Sequence, residues 1–247
     1  MKQLGFWKQF LKAAREEGKP ILAMAPMADV TDAALRLTVA KLHQKSRALF
    51  HESRPISKVH SSPSNSYITW NEFVPIEGLH HNPKAFEVDL WFDSGVERPA
   101  VAQVFGASPE RMRKAVSDLV AQGWHGIDIN MGCPDRSVTE KQRAGAALIT
   151  DAALARDLVA AAIEGAAGQV PVSVKTRLGY TIDEAEMWTD ALLGGGEEVR
   201  VMPVLVRRRQ EEWRLMMFST THPASHSGRL LEQASLQSHS TEEQPKR

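Results

Sequence analysis

Short continuous apolar runs alternate along the chain with longer stretches whose apolar positions recur at helical spacing. Residues 4–17 place Phe6, Trp7, Phe10 and Leu11 on one side of a predicted helix, which Gly18 and Pro20 end. Residues 21–25 are apolar throughout and predict a first strand, with Thr31 or Asp32 able to cap the helix after it. Residues 70–74 and 99–105 predict two more strands, the latter ending at Gly106. Ser108, Pro109 and Glu110 then open a helix that turns Met112, Val116, Leu119 and Val120 inward. Residues 124–129 read as a short buried strand bounded by Gly123 and Gly126, and residues 171–176 as another, marked by Val172 and Val174. Alanine-rich helical stretches lie between them at 144–148 and 154–163, and residues 182–193 predict a helix with Trp188 and Leu192 on its apolar side. The strand-helix alternation predicts an α/β fold with a parallel sheet, and the spacing suits a (β/α)8 TIM-barrel type.

Two stretches break the alternation. Residues 43–68 are rich in Ser, His, Lys and Arg, contain Pro55 and Pro63, and predict an inserted surface loop. After Gly194, Gly195 and Gly196, one β-like run at 199–206 is interrupted by Pro203; Arg207, Arg208, Arg209 and a polar tail follow, with disorder expected from about Ser219. The expected organisation is an N-terminal helix at 1–19, a partial barrel at 20–193 and a divergent, largely disordered tail at 194–247. The barrel is expected to be incomplete, with about its first five strand-helix units and an irregular C-terminal tail. A sheet stopped there keeps two open edges, which predicts low solubility, early proteolysis beyond about residue 193 and weak or absent binding of any cofactor.

Composition narrows the classes. In 247 residues, 43% hydrophobic content supports a substantial core, and 30 Lys+Arg balance 30 Asp+Glu, so net charge points to no polyanionic partner. The single cysteine rules out an intramolecular disulfide and any multi-cysteine metal site, and it suits a reducing compartment. No metal site is expected. No apolar run approaches the length of a membrane span and the start lacks a signal-peptide pattern, which together predict a cytoplasmic protein.

That cysteine is Cys133, in Asn130-Met131-Gly132-Cys133-Pro134, on the loop beyond a predicted strand's carboxyl end. In parallel α/β architectures this rim is where chemistry is done, although a lone cysteine is more often a small buried apolar residue. Gln103 lies inside an apolar strand and needs a buried partner. Lys175 and Arg177 alternate with Val174, Thr176 and Leu178, which puts both on one face of a strand end.

The Cys133 loop, with Val138 and Ala144-Gly145-Ala146-Ala147-Leu148 after it, resembles the signature of the flavin-dependent tRNA-dihydrouridine synthases. So do Ala25-Pro26-Met27-Ala28-Asp29-Val30-Thr31-Asp32, Ala102-Gln103-Val104-Phe105-Gly106 and Val174-Lys175-Thr176-Arg177-Leu178-Gly179. Trp70-Asn71-Glu72-Phe73-Val74 matches the family's second strand with Asn71 in place of threonine. The resemblance covers roughly residues 20–192; the family's last strands, phosphate-gripping loops and C-terminal helical domain are not recognisable in the rest. It implies a TIM barrel that reduces uridine in tRNA to 5,6-dihydrouridine with FMN, itself reduced by NADPH or NADH. By the same resemblance Cys133 is the general acid, Asn130 and Arg177 contact the target base, and Pro26, Met27, Ala28, Gln103 and Lys175 contact the flavin. A thiol of ordinary pKa, about 8.5, is mostly protonated at neutral pH and can donate without tuning. For Gln103 a backbone partner is as plausible from the strand as the flavin ring. Two other functions stand beside this one: another FMN barrel oxidoreductase on a small substrate, such as a dihydroorotate dehydrogenase relative, and a non-catalytic remnant.

Overall fold

The computed structural model describes residues 22–52, 67–177, 179, 185–193, 200–201, 205–207 and 213–215. The helix expected at 4–17 and the tail beyond Ser219 lie outside the described residues. In chain order the elements are β1 (Leu22–Ala23), α1 (Ala33–Glu52), β2 (Tyr67–Trp70), β3 (Val74–Pro75) and α2 (Ile76–His81). There follow β4 (Ala100–Phe105), α3 (Pro109–Ala121), β5 (Gly126–Met131), α4 (Arg136–Thr139), α5 (Ala152–Ala166), β6 (Val172–Thr176) and α6 (Ala185–Leu193). Last come β7 (Arg200–Val201), β8 (Leu205–Arg207) and β9 (Trp213–Leu215).

The sheet runs β1-β2-β4-β5-β6-β7, with β3 also beside β4, and its pairings are parallel. Strands joined through helices in this order form an incomplete (β/α)8 barrel, and every parallel strand presents its carboxyl end on one side. Helices cover the outer face. Met112, Ala115, Val116 and Leu119 of α3 and Ala155, Leu158, Val159 and Ala162 of α5 pack on Ala102, Val104, Ile127, Ile129, Met131 and Val174. Caps set where these helices begin: Arg111 N–H donates to Ser108 Oγ at 3.4 Å, and Leu154 N–H to Asp151 Oδ1 at 3.1 Å. Gly165 of α5 lies against the Arg113 carbonyl of α3, where a Cβ would collide. The two helices close the outer layer behind β5 by that contact.

Several boundaries differ from expectation, among them the strand expected at 70–74, of which only Trp70 falls in β2 and only Val74 in β3. Residues 43–52 belong to α1 rather than to a surface loop, because residues 33–52 contain neither Gly nor Pro and are rich in Ala, Leu, Lys and Arg. Tyr67 and Ile68 belong to β2, and residues 53–66 of the expected 43–68 loop lie outside the described residues. The tail is not wholly irregular either. β7 extends the parallel sheet beyond β6, and β8 pairs with β9 in antiparallel register, Leu205 opposite Leu215.

A buried ion pair ties α1 to the segment entering β4. Arg36 Nε donates to Glu97 Oε1 at 2.9 Å with both side chains at 1% exposure or less. The guanidinium also donates to the Thr31 carbonyl at 2.9 Å and the Trp91 carbonyl at 2.5 Å, while Glu97 Oε2 accepts from Asp93 N–H at 3.2 Å. Removing one partner strands the other charge away from water. Glu97→Ala is expected to lower stability by about 3–5 kcal/mol, read by urea unfolding; a loss under about 1 kcal/mol would show that water reaches the pair.

Candidate active site

In β5 the side chains alternate. Ile127, Ile129 and Met131 enter the helix-backed core, which turns Asp128 and Asn130 to the opposite, barrel-interior face. Register extends that polar face across three strands: Gln103 of β4 pairs with Asp128, Asp128 with Ser173 of β6, and Asn130 with Lys175 of β6. Gln103 and Asp128 have no exposure, Ser173 has 1% and Asn130 has 5%. Polar groups so deep must find each other.

They do. Gln103 Nε2 donates to Asp128 Oδ2 at 2.5 Å, and Ser173 Oγ donates to Asp128 Oδ1 at 2.6 Å. Asn130 Nδ2 donates to Gln103 Oε1 at 3.2 Å. Asn130 Oδ1 accepts from the backbone N–H groups of Gly132 and Cys133, each at 3.0 Å. From the β2 side, Asn71 Oδ1 accepts from Gln103 N–H at 2.6 Å, standing in for a strand carbonyl where β2 has ended. That contact leaves Asn71 Nδ2 buried and without a hydrogen-bond partner among the described residues. The partners of the Gln103 side chain are thus Asp128 and Asn130, a pairing not foreseen from the strand pattern.

Cys133 follows on the loop after β5, half-buried against the cluster of Phe105, Val138 and Ala144. Its backbone is held at both ends: the N–H by Asn130, and the carbonyl by Ala146 N–H at 2.9 Å. Two glycines make room for this loop. A Cβ on Gly132 would stand 3.2 Å from the Thr176 carbonyl carbon at the end of β6. Gly145 has φ +60°, and a Cβ there would meet the Cys133 carbonyl oxygen at 2.6 Å.

The remaining predicted residues lie on the same rim. Pro26, Met27 and Ala28 form the turn after β1, where the buried Thr31 hydroxyl accepts from Met27 N–H at 3.0 Å. Glu72 reaches across from the β2–β3 connection to accept from Asp29 N–H at 2.8 Å. Lys175 is half-buried beside Asn130, and no hydrogen bond or ion pair holds its Nζ among the described residues. Arg177, also half-buried, directly follows β6. The strand ends therefore gather Gln103, Asn130, Cys133, Lys175 and Arg177, with the Pro26 turn two strands away from β4. Sequence reasoning missed Asp128, Ser173 and Glu72. For Asp128 the signal was present: an acidic residue between two isoleucines in an apolar strand. Among the described residues, no cluster of His, Cys, Asp and Glu could hold a metal ion.

Burial pushes the Asp128 carboxyl from its ordinary value up to about 6, against the opposing pull of its bonds to Ser173 and Gln103 and of the Lys175 charge. A folded state that binds the proton more tightly than the unfolded one is stabilised below the unfolded pKa, and loses that stability as pH rises through about 6. The shift of about two units corresponds to ~3 kcal/mol. Asp128→Asn removes the titration, so its stability relative to the parent should rise by up to ~3 kcal/mol between pH 4 and 7.5. Urea unfolding at both pH values measures the difference; a gap that does not change with pH would place the Asp128 pKa near its ordinary value.

Comparison with known proteins identifies the family. Residues 23–195 match the family profile described as "Dihydrouridine synthase (Dus)". The chain is 34% identical over 200 residues to the "Probable tRNA-dihydrouridine synthase 2" of Bacillus subtilis (strain 168), covering 80% of this chain and 53% of that protein. It is 32% identical over 194 residues to the "Probable tRNA-dihydrouridine synthase" of Staphylococcus aureus (strain COL), covering 78% and 51%. The chain spans about half the length of these curated relatives. With the profile matched across the sheet, the Cys133 loop and the end of β6, this chain belongs to the dihydrouridine synthase family.

Proposed function

We propose that this chain carries the catalytic face of a tRNA-dihydrouridine synthase, which reduces uridine in tRNA to 5,6-dihydrouridine with FMN and NADPH or NADH. The observation that carries this reading is the Cys133 loop, fastened by Asn130 beside Gln103 and Lys175 at adjacent parallel strand ends. Because the substrate is tRNA, the reading places the protein in the cytoplasm.

The donor set suits the polar edge of a flavin ring. Asn71 Nδ2 is a buried donor with no hydrogen-bond partner among the described residues, next to Gln103. Gln103 keeps one Nε2 hydrogen beyond the one given to Asp128. Lys175 adds a cation on the same face, where it stabilises negative charge on a reduced ring. The turn of Pro26, Met27 and Ala28 would supply backbone contact from the β1 side. When bound, FMN supplies the hydride for one carbon of the uracil double bond.

The chain's own residues supply the rest. The Cys133 thiol is the general acid, delivering its Sγ proton to the neighbouring carbon from the other face of the base. Its backbone bonds to Asn130 and Ala146 hold the stretch of chain that carries that sulfur. Asn130 has spent its oxygen on the loop and one hydrogen on Gln103, so it contacts the uracil edge with the second Nδ2 hydrogen. Arg177, at the end of β6, contacts flavin or base.

Two substitutions separate these roles. Cys133→Ala should cut dihydrouridine formation by about 10²–10⁴-fold with FMN affinity changed far less; an unchanged rate removes the thiol from the reaction. Lys175→Ala should weaken FMN binding by about tenfold or more and make the reduced flavin harder to reach. A midpoint potential and affinity equal to the parent's would take Lys175 away from the ring.

A further inference from the structure

The buried polar chain beneath the Cys133 loop has a direction. At its outer end are the backbone N–H groups of Gly132 and Cys133, which can only donate. At its inner end is the Asp128 side chain, which offers Oδ2 as an acceptor to Gln103. Between them, Asn130 and Gln103 each turn the carbonyl oxygen outward and the amide nitrogen inward. Turning either amide over would set nitrogen against nitrogen at one contact and oxygen against oxygen at the other. Buried this deeply, neither mismatch can be relieved by water.

We propose that Asp128 is a positioning residue: through Gln103 and Asn130 it fixes the Cys133 loop in the arrangement that presents the thiol. This inference builds on Cys133 as proton donor in the proposed reaction. Among the described residues Asp128 makes no hydrogen bond to Cys133 or its loop, and it acts through the two amides. What the relay needs at position 128 is an oxygen that accepts from Gln103, not a negative charge. An asparagine can provide it. Its Oδ1 would keep the Gln103 bond while its Nδ2 donates to Ser173 Oγ, whose own hydrogen turns to the Ile127 carbonyl, already 3.2 Å away. A leucine cannot, and neither amide would then have a terminus to orient it.

Because Cys133 is the only cysteine of the chain, its alkylation reads the loop directly and without cofactor or tRNA. The full chain is treated with iodoacetamide across pH 6–9, about the range in which a thiol titrates, and backbone hydrogen exchange is followed at residues 130–133. In Asp128→Leu and Gln103→Met, the alkylation rate and the exchange of Gly132 and Cys133 are expected to change by about tenfold or more, as for loss of a buried hydrogen bond. In Asp128→Asn both should stay within about twofold of the parent. A folded Asp128→Leu or Gln103→Met protein with parental alkylation and exchange overturns the proposal. So does an Asp128→Asn protein as altered as the leucine variant, and that variant decides the matter if the apolar ones fail to fold. Dihydrouridine formation is measured separately. A loop that responds as expected while Cys133→Ala keeps full activity upholds the relay and refutes the proposed role of the thiol.

Discussion

Asp128 lies in the middle of the sheet with no exposure to solvent, and a carboxyl group so placed must find partners or surrender its charge. It finds partners on both flanking strands, Gln103 on β4 and Ser173 on β6, and so ties three parallel strands together from their inner face. The outer face needs no such care, because α3 and α5 cover it with apolar side chains. The two faces of β5 thus divide the labour. Ile127, Ile129 and Met131 supply the burial that makes the sheet stable, while Asp128 and Asn130 spend some of it to place polar groups at a chosen depth.

From that constraint the candidate site follows outward. The Asp128 bond leaves the Gln103 oxygen for Asn130, and Asn130 in turn holds the backbone of the Cys133 loop. Gly132 and Gly145 clear the space in which the loop can be held so closely to β6 and to the segment after α4. On the β2 side, Asn71 and Glu72 do comparable work, one capping the buried strand N–H of Gln103 beyond the end of β2 and the other tying down the turn after β1. Reactive side chains at the rim of a parallel sheet are useful only when held to a narrow geometry. Here the holding is done by buried amides and a carboxyl group one layer beneath.

Much of this was legible in the sequence, for identifiable reasons. Continuous apolar strands and amphipathic helices announced the parallel α/β order, and Cys133 was placed on its loop because Gly132 and Pro134 stop a strand. The partners of Gln103 were not legible, since strand periodicity reports a face and says nothing of which neighbouring strand supplies the partner. Residues 43–52 look loop-like for the same reason that an exposed helix does: polar composition is shared by both, and only the absence of Gly and Pro favoured the helix. Glu72 was missed because it acts across 43 residues of chain, on a backbone N–H that no pattern marks.

The central claim is that the polar inner face at the ends of β4, β5 and β6 receives the flavin ring. The most direct test is to follow the side-chain NH₂ resonances of Asn71, Gln103 and Asn130 by NMR while FMN is added to the full chain. The account predicts saturable shifts, largest for Asn71, whose Nδ2 has no hydrogen-bond partner among the described residues, and smaller for Gln103, whose amide is already engaged. FMN that binds and shifts residues elsewhere while these three amides stay unchanged would contradict it.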